Sequence, residues 1–238
     1  MNTPNDNQTN ELRQATTKRL KQLILITVLS GLLLFASAGD FRWAEGWMYM
    51  VLCVVMLTIN ARVLMSKHPD LAAERSKIQE GAKEWDKPLA LYVGRIGPNV
   101  LLIVCGLDYR FGWSPDLSLA AKVAGGAVVI LGYFVVGWAM YANKFFSGVV
   151  RIQDDRDHVA ISSGPYRFVR HPGYTGLLLL TVALPVLLGT LWGLVAAGVT
   201  AVVLVIRTAK EDSTLFAELD GYTEYTKSTR YRLLPLVW

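Results

Sequence analysis

The chain has 238 residues, of which 53% are hydrophobic and only 18% charged, with a formal net charge of +5. A typical soluble domain has about 25% charged residues, so this composition excludes an ordinary soluble globular fold. Several apolar segments approach the ~20 residues that a helix needs to cross a bilayer. The sequence therefore predicts an all-α membrane protein.

The first 21 residues are polar and end in a basic cluster, and we expect them to form a disordered cytoplasmic leader. The apolar segment that follows is too long for the core of a signal peptide, which favours a retained first membrane helix. Charged residues divide the chain into six apolar segments: 22–38, 46–65, 88–107, 117–141, 174–188 and 191–207. Residues 22–142 then form four helices with a loop at 66–87.

The last two apolar segments are separated by Gly189 and Thr190, a typical turn, and predict a C-terminal helical hairpin. The first arm is about 22 Å long at 1.5 Å per residue, which is short for a span. It also contains Pro185, so a re-entrant arm is an alternative to a full crossing. The prediction is five to six transmembrane helices.

Lysine and arginine are concentrated before the first segment, in loop 66–87, between the fourth and fifth segments, and after the last. The other connections carry only Arg42, Arg110 and Lys122. By the positive-inside rule, both termini and the long loops are cytoplasmic, and we expect the inner membrane of a bacterium. This asymmetry explains the basic charge without a nucleic-acid partner.

Several polar residues are open to more than one interpretation. Loop 66–87 is either a solvated loop anchored by Trp85 or a substrate gate, and Arg95, near Asn99, either snorkels or faces a polar cavity. Cys53 and Cys105 lie in apolar segments and are expected to be buried hydrophobes. The three histidines lack acidic partners at metal-ligand spacing, so no metal site is predicted.

Two tight turns precede the hairpin within the stretch GPYRFVRHPGYTG, residues 164–176. Gly164 and Pro165 form the first, and Pro172 occupies the first turn of a helix, where its missing N–H costs nothing. Arg167 and Arg170 suit interfacial anchoring on phosphates. Because two turns fold this loop back, we expect a cytoplasmic pocket lined by His158, Tyr166, His171 and Tyr174.

Arg207 and Glu211 are four residues apart on the helix that leaves the hairpin, so they share one face. One interpretation is a local ion pair at the membrane boundary. The other is that Glu211 binds a cation or hydroxyl of a ligand and Arg207 binds an anion. Their spacing leaves both open.

GPYRFVRHPGYTG, followed by a hairpin, by RTAKED and by GYTEYTKSTRYRLLP, resembles the isoprenylcysteine carboxyl methyltransferase and phospholipid methyltransferase superfamily. Its members are integral-membrane enzymes that use S-adenosylmethionine. The resemblance covers roughly residues 149–235 and implies that residues 143–238 form a methyltransferase core.

The resemblance also implies roles for individual residues. Arg207 corresponds to the arginine that orients the substrate, and Asp212 replaces the second of two consecutive glutamates, with one methylene less reach. The implied cofactor contacts are Gln153, His158, Val159, Ala160, Ile161, Tyr166, His171, Pro172, Gly173, Tyr174 and Glu211.

These residue types suit S-adenosylmethionine, which carries a sulfonium, an ammonium and a carboxylate. Glu211 supplies an acid, the histidines supply donors, and Val159 to Ile161 supply an apolar wall. Methyl transfer by in-line displacement needs alignment and desolvation more than a base. A lipophilic acceptor would enter from the lipid with its polar head at Arg207.

The sequence therefore favours a membrane methyltransferase acting on a lipophilic acceptor, most simply a carboxylate of the prenylcysteine type. A phospholipid amine or a small thiol is an alternative acceptor. An NADPH-dependent reductase of steroid-reductase type shares a similar tail but does not account for RHPGY followed at once by a hairpin. A carrier is disfavoured because there is no inverted repeat. The oligomeric state is left open.

Overall fold

The computed structural model describes residues 6–67 and 81–238, and no strand occurs among them. The helices are α1 (Asp6–Ala38), α2 (Ala44–Lys67), α3 (Asp86–Leu91), a π-helical segment (Tyr92–Ile96), α4 (Gly97–Phe111), α5 (Leu119–Ala142), α6 (Pro172–Leu188), α7 (Gly193–Glu218) and α8 (Tyr222–Ser228). Short 3₁₀ turns occupy Asp154–Arg156 and Gly164–Arg167. The predicted all-helical fold is confirmed.

Within the described residues, four helices are long and apolar enough to cross a membrane: Leu20–Ala38, Asp86–Phe111, Leu119–Ala142 and Gly193–Glu218. Ala44–Ile59 and Pro172–Leu188 are shorter apolar helices. All six predicted segments are thus helical. A full crossing by the two shorter ones stays a prediction.

The structure differs from the expected leader. α1 begins at Asp6, so residues 6–21 are helical and continue into the apolar part of the same helix. Polar residues with good helix propensity can extend an existing helix because nucleation, the costly step, has already occurred. The polarity of residues 6–21 therefore does not by itself predict that they are disordered. Most of loop 66–87, residues 68–80, lies outside the described residues.

Glycines bring α5 and α6 into close contact. A Cβ placed on Gly132 would lie 2.8 Å from the carbonyl oxygen of Gly176, and one on Gly176 would lie 2.7 Å from that of Gly132. The core that surrounds this contact joins α1, α4, α5, α6 and α7 through buried side chains such as Leu34, Leu102 and Leu187. Small residues allow membrane helices to approach closely, where dispersion forces hold them.

The predicted turn of the hairpin is present. α6 ends at Leu188, Gly189 takes the left-handed conformation at φ +75°, and the Thr190 N–H donates to the Pro185 carbonyl at 2.9 Å. Asp108, 1% exposed, accepts the backbone N–H groups of Ser114 at 2.8 Å and Trp192 at 3.0 Å. These hydrogen bonds of Asp108 connect the hairpin turn to the end of α4.

Arg95 and Asn99 are both exposed on the surface of the helix that runs from α3 to α4. Val93 and Gly97 of the same helix face inward and line an apolar cavity between the helices. Neither Arg95 nor Asn99 lines this cavity, and the exposed position of Arg95 fits snorkelling.

Replacing Gly132 by alanine is expected to destabilise the protein by about 1–3 kcal/mol, since the added methyl group would overlap backbone atoms of α6. Thermal unfolding in detergent measures the change. Gly198→Ala is the matched control, because a Cβ there meets nothing within 4 Å. Equal melting temperatures for the two variants would contradict the close approach of α5 and α6.

Candidate active site

The site lies where the loop before α6 meets the last turns of α7. The C-terminal tail holds this loop: the N–H groups of Arg170 and His171 donate to the carbonyls of Tyr231 and Arg232 at 2.8 and 2.9 Å. The Thr175 hydroxyl donates to the carbonyl of Leu233 at 2.7 Å. The start of α6 is thereby fixed against the tail.

Asp212 is the centre of one polar network. Its carboxylate, on a residue 4% exposed, accepts hydrogen bonds from Arg170 Nη2 at 2.9 Å, Arg232 Nε at 2.8 Å and the Tyr222 hydroxyl at 2.9 Å. His171 Nε2 lies 3.1 Å from the same carboxylate. The two arginines offset the free-energy cost of burying this carboxylate, which would be strongly unfavourable if the carboxylate were unpaired.

Glu211 lies beside this network and is its more accessible acid. The Tyr174 hydroxyl donates to Glu211 Oε2 at 2.5 Å, and His171 Nδ1 lies 3.9 Å from Oε1. The Glu211 side chain is 22% exposed, against 5% for His171. One oxygen of Glu211 is therefore left with room for a ligand.

Arg207 is paired with a residue that the sequence did not indicate. Its Nε and Nη2 donate to the two oxygens of Asp86 at 2.7 and 3.0 Å, and Nη2 also donates to the Gly148 carbonyl at 2.8 Å. Asp86 is completely buried. The guanidinium carbon lies 5.3 Å from the centre of the Tyr174 ring.

The local ion pair between Arg207 and Glu211, one of the two interpretations of their spacing, is not formed. Arg207 bonds to Asp86 and Glu211 bonds to Tyr174, so each charge on this helix face has a partner from another segment. The Tyr174 side chain lies between them, with its ring against Arg207 and its hydroxyl on Glu211.

Gln153 and His158 form a separate cluster in the loop that follows α5. The Gln153 amide donates to the Phe145 carbonyl at 2.7 Å and accepts from Arg156 at 2.7 Å, and the residue is 1% exposed. The His158 ring packs on Phe145 at 4.5 Å and accepts the Gln153 N–H on Nδ1 at 3.4 Å. None of the hydrogen bonds or ring contacts of the described residues joins His158 to Glu211.

Burial, together with the charge of Arg151, lowers the pKa of His158 from 6.5 to about 4. The ring is therefore neutral at physiological pH. Because Nδ1 accepts a hydrogen bond, the proton lies on Nε2, which is left as a neutral donor.

Tyr166 links the loop to α8. It is buried, its hydroxyl accepts from the Asn143 amide at 3.1 Å, and its carbonyl accepts from the Tyr225 hydroxyl at 2.7 Å. Burial raises the pKa of Tyr166; the hydrogen bond from Asn143 opposes this shift, and the negative charge of Glu211 adds to it. Ala160 and Ile161 pack against the same cluster, whereas Val159 is 50% exposed.

An apolar, partly open cavity of about 230 Å³ lies between the helices, next to this polar site. Leu177 lines it one helical turn beyond Tyr174, and Leu204 lines it one turn before Arg207. The other lining residues are Tyr49, Val93, Gly97, Pro98, Leu101, Val129, Tyr133, Leu180, Thr181, Leu184 and Thr200. The apolar cavity thus ends about one helical turn from the polar side chains of Tyr174 and Arg207.

The structure brings together His171, Tyr174 and Glu211 as predicted, with Arg207 beside them. It leaves Gln153 and His158 in their own cluster. Sequence reasoning missed Asp86, which lies 121 positions from its partner and looks like an ordinary charge at the start of an apolar segment. It also missed Arg232 and Tyr222 as partners of Asp212.

The fold and the site define a helical membrane protein with a polar site at the end of its C-terminal hairpin, above an apolar cavity. The sequence profile of the isoprenylcysteine carboxyl methyltransferase (ICMT) family matches residues 125–217. The resemblance expected from the motifs is thus confirmed over this part of the chain, which is similar to that family.

Two curated relatives carry related names. The chain is 36% identical over 97 residues to the protein-S-isoprenylcysteine O-methyltransferase of Saccharomyces cerevisiae, covering 33% of this chain and 41% of the relative. It is 38% identical over 65 residues to the probable protein-S-isoprenylcysteine O-methyltransferase of Oryza sativa subsp. indica, covering 27% of this chain and 34% of the relative. The chain thus spans well under half the length of each relative.

The protein is expected to lose stability as the pH falls from 6.5 to about 4, because the unfolded chain protonates His158 in this range and the folded chain does not. The His158→Gln variant removes this contribution, so its stability should fall less steeply over the same range. Thermal unfolding in detergent at several pH values measures both slopes. Parallel curves for the two proteins would show that His158 is not held neutral.

Proposed function

We propose that this protein is an integral-membrane methyltransferase that transfers the methyl group of S-adenosylmethionine to a lipophilic acceptor. The proposal rests on the contacts of Glu211 with Tyr174 and His171, three residues that all lie in the family-matched region. The apolar cavity one helical turn away supports a lipophilic acceptor. The positive-inside distribution of charge supports a site on the cytoplasmic side.

Glu211 fits the cationic or hydroxyl side of S-adenosylmethionine, since one of its oxygens is not engaged by Tyr174 and its side chain is partly exposed. The neutral Nε2–H of His158 suits the cofactor's carboxylate. The adenosine part would be enclosed by Tyr166, Val159, Ala160 and Ile161. Of these, Ala160 and Ile161 pack against the cluster that contains Tyr166. The bound group would supply a methyl that is electrophilic because it is attached to a sulfonium.

Two residues that the resemblance linked to the cofactor are better suited to hold the site in shape. Both polar atoms of the Gln153 amide are engaged in buried hydrogen bonds. Both ring nitrogens of His171 face acids, and its side chain is 5% exposed. Pro172 starts α6, and Gly173 gives Phe146 room, since a Cβ there would lie 2.7 Å from that ring.

The acceptor that fits best is a carboxylate carried on an apolar chain. The cavity would accommodate part of the chain, and Arg207 would orient the carboxylate, to which a guanidinium is geometrically matched. A carboxylate gains a methyl group without losing a proton, so this acceptor needs no base. An amine would have to lose one, and the accessible acid of the site, Glu211, is the one proposed to bind the cofactor.

Glu211→Gln tests the cofactor site. Loss of the charge is expected to weaken S-adenosylmethionine binding by about 10- to 100-fold, as for other hydrogen bonds to charged groups. Isothermal titration of the detergent-purified protein measures the affinity, and Glu224→Gln, at an exposed position on α8, is the control. Unchanged binding would remove Glu211 from the site. Retention of NADPH in place of S-adenosylmethionine would favour the reductase alternative.

Thr181→Phe tests the cavity. The larger side chain fills space between the helices, so methylation of an S-prenylated N-acetylcysteine should fall at least ~10-fold, with cofactor affinity unchanged. Val182→Phe, one residue along the same helix but 44% exposed, is the matched control. Equal activity of the two variants would show that the acceptor does not use this cavity.

A further inference from the structure

We infer that Asp86 is a positioning residue for the acceptor, and that it fixes the Arg207 guanidinium so that a single nitrogen, Nη1, is left to bind the acceptor's carboxylate. This inference rests on the proposed function. It concerns a residue outside the family-matched region, since Asp86 precedes residue 125.

The hydrogen bonds of Arg207 account for three of its five N–H donors. Nε donates to Asp86 Oδ1, and Nη2 donates to Asp86 Oδ2 and to the Gly148 carbonyl. A guanidinium has one N–H on Nε and two on each terminal nitrogen. The two donors on Nη1 are therefore the ones left for a ligand.

Asp86 is itself held rigidly. It is completely buried, and its Oδ2 accepts the backbone N–H of Val150 at 2.7 Å. The Val150 carbonyl in turn accepts the N–H of Lys83 at 2.9 Å, which ties the residues before α3 to the loop after α5. With both oxygens engaged, the carboxylate cannot rotate, so it sets the plane of the guanidinium.

The pairing also changes what Arg207 can do electrostatically. A buried Arg–Asp pair carries no net charge, and the cost of desolvating both groups offsets much of their attraction, so the pair adds little net stability. Arg207 then acts on a ligand as a directional donor and does not trap anions by its charge. A carboxylate bound through one nitrogen keeps its other oxygen free as the nucleophile.

The position of the pair agrees with this role. Arg207 follows Leu204, which lines the cavity, and precedes Glu211 by one turn of α7. The Tyr174 ring packs against the guanidinium, and its hydroxyl bonds to Glu211. A donor fixed at this place lies between the proposed acceptor chain and the proposed cofactor acid.

A double-mutant cycle tests the inference, with wild type, Asp86→Asn, Arg207→Gln and the double variant assayed on an S-prenylated N-acetylcysteine. Asp86→Asn should lower kcat/KM for the acceptor at least ~10-fold while the affinity for S-adenosylmethionine changes less than ~3-fold. In the Arg207→Gln background the same substitution should have less than a ~2-fold further effect, because Asp86 acts through Arg207. Effects that multiply would overturn the inference.

Asp108→Asn is the matched control. Asp108 is as buried as Asp86 and also accepts backbone N–H groups, but at the opposite end of the hairpin. Its substitution should lower the melting temperature and leave the acceptor kcat/KM unchanged. An equal loss of kcat/KM in Asp108→Asn would show that Asp86 acts only through stability.

The conservative variant Asp86→Glu retains the charge and serves in the same cycle if Asp86→Asn does not fold. It should bind the cofactor normally and still lose acceptor kcat/KM, because the longer side chain shifts the guanidinium. Wild-type activity in Asp86→Glu would overturn the inference. A wild-type protein that neither binds S-adenosylmethionine nor forms methylated product would instead overturn the proposed function, and this inference with it.

Discussion

Two buried carboxylates hold the polar end of the C-terminal hairpin together. Asp86 bonds to Arg207, and Asp212 bonds to Arg170 and Arg232. Because an unpaired charge in this environment would cost several kcal/mol, each acid can be buried only where its arginines can reach it. The start of α3, the loop before α6 and the C-terminal tail are thereby brought around the last turns of α7.

α7 joins the two halves of the site. Thr200, Leu204, Arg207 and Glu211 follow one another at helical spacing, so a single helix face runs from the apolar cavity to the charged boundary. In the proposed function this face contacts both reactants, of which the acceptor is largely apolar and the cofactor is charged. The acceptor's chain needs an environment without water, whereas the cofactor needs charged and hydrogen-bonding partners.

Much of the fold could be predicted from the sequence because it depends on local properties. Apolar segment lengths indicated all six helices, Gly189 indicated the hairpin turn, and Pro172 indicated the start of α6. The leader was the exception. Residues 6–21 are helical although polar, since the apolar part of α1 supplies the nucleus from which they extend.

The sequence by itself determined the membrane class, the hairpin and the residues that meet at Glu211, because segment length, turn chemistry and the family's motif are all local along the chain. Only the tertiary structure decided which charges are partners. It paired Arg207 with Asp86 across 121 positions, buried Gln153 and His171, and left one oxygen of Glu211 open. No spacing rule connects such distant residues, since their pairing arises from the burial of both charges in the same place.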